Sequence, residues 1–248
     1  MDLGLTDKRV LVTGGSRGIG KAIAASFLAE GARVAICARG AGGLESASQE
    51  LAPHGEVHHR AADLADAAAV TELVEWTVAT LGGIDIVVSN VSAMGGADLE
   101  TSLDVDILGS QTLIGAALEK MEDNSGANIV CIGSRAGSVG IAWMPAYAAV
   151  KAATVSLVKS TALQVARRGI RVNCVSPGDI LFEGGTWADV RDNNEKLYNN
   201  ILRENPFRRF GTPEEIADVV AFVASERASF MTGANVLVDG GATPSLQL

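Results

Sequence analysis

The chain has little of what several function classes require. Its 248 residues include three cysteines, three histidines and 4% aromatics, and 20 basic against 29 acidic side chains leave a net charge of −9. Cys37, Cys131 and Cys174 are odd in number, far apart and each set in an apolar strand-like run, which points to buried packing rather than a disulfide framework or a metal site. His54, His58 and His59 stand close together without the cysteines or carboxylates that would complete a metal shell, so no metal is expected. An acidic chain lacks the basic face that phosphate backbones need, which argues against nucleic acid as a partner. Charges or glycines break the apolar stretches well short of membrane-spanning length, and the opening Met1-Asp2-Leu3 is acidic rather than signal-like. The expectation is a soluble, cytoplasmic protein with no membrane partner.

What the chain does have is apolar content, 48% of its residues, enough for the core of one large α/β domain spanning 1–248. Apolar runs of strand length alternate with longer helix-period segments: Val10 to Val12, Val34 to Ala38, Val57 to His59, Ile84 to Val88, Ile129 to Ile132, Val172 to Val175 and Val236 to Val238. Runs that are apolar almost throughout suit a parallel sheet buried on both faces, with helices as right-handed crossovers. A doubly wound, Rossmann-type sheet of seven parallel strands flanked by helices is predicted. One irregular segment, 179–210, follows the sixth strand and is rich in Gly, Asn and charge. It is either a covering for a substrate beyond the carboxyl ends of the strands or an ordinary helical surface excursion.

Two motifs carry chemistry. Thr13-Gly14-Gly15-Ser16-Arg17-Gly18-Ile19-Gly20 follows an apolar strand and opens the helical pattern Ile19, Ile23, Phe27, Leu28. Small residues there let the backbone approach a pyrophosphate, and the helix N-terminus attracts its charge, although three residues separate the first two glycines instead of one. Tyr147 and Lys151 stand four apart in a helical pattern beginning near Met144, so both project from one face, where an ammonium favours the phenolate of a neighbouring tyrosine. Ser134 follows the fifth strand, placed to donate to a carbonyl oxygen. Together the motifs propose hydride transfer between a nicotinamide cofactor and a carbonyl or alcohol.

With these motifs the chain resembles the short-chain dehydrogenase/reductase family over essentially its whole length, and among its members NADP-dependent carbonyl or 3-oxoacyl-carrier-protein reductases. Further segments carry the likeness: Asp63-Leu64, Asn173-Cys174-Val175-Ser176-Pro177-Gly178, the stretch from Arg209 to Ala217, and Val238-Asp239-Gly240-Gly241. The resemblance implies that Tyr147 is the general acid in reduction and base in oxidation, that Ser134 orients the carbonyl, and that Lys151 also holds the nicotinamide ribose. It places Gly14, Ser16, Arg17, Gly18, Ile19, Gly20 and Asn90 along the dinucleotide, Asp63 and Leu64 at the adenine, and Pro177, Gly178 and Ile180 near the nicotinamide. It also implies a homotetramer or homodimer.

Two positions depart from the family pattern. Its usual Asn-Asn-Ala-Gly appears here as Ser89-Asn90-Val91-Ser92, and the helical asparagine of its tetrad corresponds to Asp106, whose backbone carbonyl can still serve. Those departures keep open an alternative reading, a catalytically weak nicotinamide-binding regulatory or scaffold protein. The end of the second strand, Cys37-Ala38-Arg39, lacks the acid that would bind free ribose hydroxyls. Arg39 and Arg17 could instead grip a 2′-phosphate, so NADP(H) is the expected cofactor. Trp143, Met144, Phe182 and Trp187 suggest an apolar, partly aromatic substrate pocket for a β-ketoacyl thioester, a cyclic or aryl ketone, or a terpenoid or steroid-like alcohol. Arg135 meets either an anionic substrate or a neighbouring carboxylate.

Overall fold

In the first strand, β1 (Arg9–Thr13), Val10 and Val12 pack into one apolar cluster and Leu11 into the other, so a single run supplies both faces of a sheet. This is the period-two consequence of strand geometry. The computed structural model describes residues 2–93 and 98–245. The remaining strands are β2 (Arg33–Ala38), β3 (Val57–Ala61), β4 (Ile86–Ser89), β5 (Asn128–Ile132), β6 (Arg171–Pro177) and β7 (Asn235–Val238), all parallel in the order β3-β2-β1-β4-β5-β6-β7. The seven strands and the doubly wound arrangement are those the sequence predicts.

Helices α1 (Gly18–Ala29) and α2 (Ala41–Leu51) contribute to the cluster on one face. Helix α3 (Ala67–Leu81) contributes to the other. After β4 the chain forms a short helix α4 (Leu99–Ser102), a π-helical stretch Leu103–Gly109 and α5 (Ser110–Lys120). The long α6 (Pro145–Val165) precedes β6, α7 (Thr186–Asn193) and α8 (Glu195–Glu204) follow it, and α9 (Pro213–Ala224) leads to β7. Leu73, Leu113 and Val158 fill the layer under α3, α5 and α6, while Phe27, Ile216 and Val220 fill that under α1 and α9. Each fully buried side chain of this kind contributes roughly 1.5–3 kcal/mol.

Charged side chains fasten the amino-terminal edge of the sheet. The Arg9 guanidinium grips Asp85 through Nε to Oδ2 at 2.8 Å and Nη2 to Oδ1 at 2.7 Å. Arg171 donates to the carbonyls of Val223, Ala224 and Ser225 at the end of α9, and burial lowers its pKa to about 10. Among the described residues, no helix is long and apolar enough to cross a membrane, and no group of three His, Cys, Asp or Glu side chains could hold a metal ion. The three thiols are free and buried, and burial pushes that of Cys37 up to about 12. The strand order reverses between β1 and β4, and such a switch point leaves a crevice at the carboxyl ends of the strands.

Candidate active site

The glycine turn leaves β1 at that crevice. Gly14 has φ +69° and Gly18 has φ +54°, the left-handed region open to glycine, and a Cβ on Gly20 would collide with the Gly14 carbonyl oxygen. Asn90, at the end of β4, locks the turn in place: its backbone N–H donates to Thr13 Oγ1 at 2.9 Å and its Nδ2 to the Thr13 carbonyl at 2.9 Å. The amide that the resemblance places along the dinucleotide therefore also organises the turn.

Helix α1 begins without a side-chain cap and without an acid in its first turn. Its first N–H groups and the positive end of its dipole are thus not neutralised by the helix's own acids or cap. Arg39 is exposed immediately beyond β2, and α2 starts beside it from Gly40, again with no side-chain cap and no acid in the first turn. An uncapped helix end in a glycine cradle, with a second uncapped end beside an exposed guanidinium, fits a phosphorylated dinucleotide. Ser16 and Ile19 are half-buried along the turn, Leu64 is buried and Asp63 exposed after β3, and Pro177 and Ile180 are buried at the end of β6. Arg17 is drawn across the turn, its Nη1 donating to the Gly184 carbonyl at 2.8 Å.

The second group of side chains gathers over β5 and α6. Ser134 lies just beyond β5 and accepts the Ala136 N–H at 3.1 Å, starting a tight turn, Arg135–Gly137. Gly137 lets that turn lie against α6: a Cβ there would come within 2.7 Å of the Lys151 carbonyl oxygen. Tyr147 and Lys151 share a face of α6, with the ammonium 5.6 Å from the centre of the tyrosine ring. Lys151 is buried and pairs with Asp106, Nζ to Oδ1 at 2.8 Å, with both side chains under 5% exposed. The other Asp106 oxygen accepts the Ala93 N–H at 2.8 Å. Burial works against the Lys151 charge, but the Tyr147 and Asp106 oxygens outweigh it and hold the ammonium above the ordinary lysine range.

Asp106 lies in the π-helical stretch, a backbone form often found at functional sites. Its side chain reaches the lysine, a contact the family pattern does not announce. Gly109 at the end of the stretch rests on the Leu64 carbonyl, so the π-helical turn is seated on the loop after β3.

Arg135 meets a neighbouring carboxylate: its Nη2 lies 3.2 Å from Asp179 Oδ2, and both side chains are less than 20% exposed. Burial raises the Asp179 pKa, Arg135 opposes that shift, and the charges of Glu204 and Asp239 add to it, leaving it above the usual carboxylate range. The sequence offers no signal for Asp179, because its partner comes from a different strand end. The four residues expected to wall a pocket separate. Trp143 is 63% exposed and lines a cavity with Arg135, whereas Met144, Phe182 and Trp187 do not line it. The Phe182 ring lies over Gly18, within 3.0 Å of where a Cβ would stand, and Trp187 packs on Phe210, which in turn stacks on Tyr198.

Residues 14–243 match the model of a family described as Enoyl-(Acyl carrier protein) reductase. The 2-(S)-hydroxypropyl-CoM dehydrogenase 3 of Xanthobacter autotrophicus is 36% identical, over 96% of this chain and 98% of that one. The L-fucose dehydrogenase of Mus musculus is 38% identical over 95% and 88%. Among solved structures, the L-sorbose reductase of Gluconobacter frateurii, complexed with NADPH and L-sorbose, superposes with a TM-score of 0.89 at 31% identity, covering 99% of this chain and all of the other. The strand order, the glycine turn and these matches agree: the chain is a member of the short-chain dehydrogenase/reductase family and an oxidoreductase.

Proposed function

We propose that the protein transfers a hydride between NADP(H) and a ketone or its secondary alcohol, with Tyr147 exchanging the proton. The observation that carries this reading is the buried ammonium of Lys151, fixed by Asp106 and held beside the Tyr147 ring, with the turn of Ser134 pressed against the same helix. In reduction the Tyr147 hydroxyl gives its proton to the carbonyl oxygen, and in oxidation the phenolate takes the alcohol proton. The Ser134 hydroxyl polarises the same oxygen. Lys151, held in place by its ion pair with Asp106, supplies donors for the nicotinamide ribose. The nicotinamide supplies or accepts the hydride when it is bound. The glycine turn and the N-terminus of α1 hold the pyrophosphate, and Arg39 with the start of α2 holds the 2′-phosphate.

Related assignments belong to the same reading. Residues 1–248 form one catalytic domain, and 179–210, built of α7 and α8, covers the substrate. Leu108 and Leu163, 55% and 74% exposed, are offered to a second copy in a dimer or tetramer, whereas Leu113 is fully buried in the chain's own core. Sedimentation of a monomer would remove that assignment. The catalytic reading is tested by Tyr147→Phe, which keeps the ring and removes the proton. NADPH oxidation should fall at least about 100-fold, and an unchanged rate would refute the mechanism.

A further inference from the structure

The surface next to Ser134 and Tyr147 has a definite chemistry. A cavity of about 320 Å³ is lined by Arg135, Ile141, Trp143, Ile201, Glu204 and Pro244 among others. Arg135 follows Ser134 directly in the chain and Trp143 stands four residues before Tyr147, just ahead of α6, so the wall is built from segments that adjoin the proposed catalytic side chains in the chain. Its volume is at the small end of ligand clefts.

Three observations limit what can sit there. First, an anion finds no free cation. The Arg135 charge is already met by Asp179 at 3.2 Å, Glu204 puts a carboxylate in the lining, and among the described residues the lining holds no other basic side chain. Second, a plain hydrocarbon ketone would cover Arg135 and Glu204 without giving them hydrogen bonds, an expensive desolvation. The aromatic rings that would favour such a ligand are engaged elsewhere, Phe182 on Gly18 and Trp187 on Phe210. Third, the polar groups are of both kinds. A guanidinium has five donors, of which Asp179 occupies a part, and a carboxylate only accepts. Hydroxyl groups satisfy both at once. The exposed Trp143 indole adds a flat apolar face for the C–H side of a hydroxylated ring.

We infer that the substrate is an uncharged, hydroxyl-rich ketone or the corresponding alcohol, held by Arg135 and Glu204 against the Trp143 indole. This rests on the proposed hydride transfer and specifies its substrate class.

The test uses the full chain loaded with NADPH and four compounds: a pentahydroxycyclohexanone, an open-chain ketohexose, cyclohexanone and acetoacetyl-coenzyme A. Rates are measured with the wild type. Affinities are measured calorimetrically with the NADPH complex of Tyr147→Phe, so that binding is read independently of turnover. The hydroxylated ketones should bind at least about tenfold tighter than the other two, and wild-type kcat/KM should follow. Glu204→Gln and Trp143→Ala should each cut the preference for pentahydroxycyclohexanone over cyclohexanone about tenfold, through KM. Arg135→Met strips a buried carboxylate of its partner, so these two substitutions on the cavity wall carry the test. Equal or tighter binding of cyclohexanone or acetoacetyl-coenzyme A, or a preference that neither substitution moves, would overturn the inference. Tyr147-dependent turnover with the bare ketone preferred overturns the inference and leaves the hydride-transfer reading standing. Turnover that survives Tyr147→Phe overturns that reading instead.

Discussion

The two halves of the crevice are made differently. Over β1 and β2 the backbone makes the site: a glycine turn, the uncapped start of α1 and, beside Arg39, the uncapped start of α2. Over β5 and β6 side chains make it: Ser134, Tyr147 and two partly or fully buried ion pairs, Lys151–Asp106 and Arg135–Asp179. The first half offers a proposed phosphate site through geometry that almost any sequence with the right glycines can adopt. The second depends on each carboxylate finding its own cation at 2.8 or 3.2 Å, because a charge buried without its partner is far costlier than an empty turn.

The largest expected effect breaks the side-chain half. Asp106→Leu leaves the Lys151 ammonium buried and unpaired and should cost about 3–5 kcal/mol in chemical denaturation. Asp106→Asn, which keeps an acceptor for the Ala93 N–H, should cost less than half as much, and equal losses from the two would show that packing rather than charge sets the effect. Breaking the backbone half should leave stability less affected and remove binding instead. Gly18→Val sets a branched side chain into the Phe182 ring at a positive φ, and NADPH titration should show at least a tenfold weaker complex. Arg39→Ala sharpens the comparison without strain. It should weaken NADPH about tenfold, as expected for a lost charge-assisted bond, and leave NADH unchanged.

The smallest effect concerns ion pairs away from the crevice. The Arg33 guanidinium and His58 hold Glu56 down from 4.5 to about 2. A carboxylate whose pKa is lower in the folded state stabilises above its unfolded value, so this contribution is complete above pH 4.5 and is lost as the pH falls from there toward 2. Glu56 is 42% exposed, and solvent and salt screening keep the effect small. Glu56→Gln should reduce the fall in Tm between pH 5 and pH 3 only slightly. A large reduction would mean that surface pairs matter here as much as buried ones.

The same contrast explains what could be read from the sequence. The inner strands β1, β2, β4, β5 and β6 are visible because they are buried on both faces and mostly apolar, whereas the edge strands β3 and β7 are only partly buried and β3 carries two histidines and an arginine. The strand expected from Ile84 begins at Ile86 instead, and Asp85 just before it bonds to the neighbouring segments through both its backbone and its carboxylate, which accepts the Arg9 N–H at 2.8 Å. The glycine turn, Tyr147 and Lys151 are visible because their spacing in the chain is their spacing in space. Asp179 is not, since its partner Arg135 follows a different strand, nor is the π-helical stretch that aims the Asp106 side chain, which leaves no period in the sequence. Phe182 and Trp187 could be recognised as aromatics near the site, but their positions depend on how the segment after β6 folds back onto Gly18 and Phe210.

The most direct test of the central claim is a paired measurement on Tyr147→Phe: NADPH affinity by titration, and NADPH oxidation with a ketone that the wild type reduces. The account predicts an affinity within about twofold of wild type, because the ring and the backbone half of the crevice are kept, together with a rate lower by at least about 100-fold. Unimpaired turnover would contradict the assignment of Tyr147 as the proton donor and, with it, the division of the crevice into a half that binds and a half that reacts.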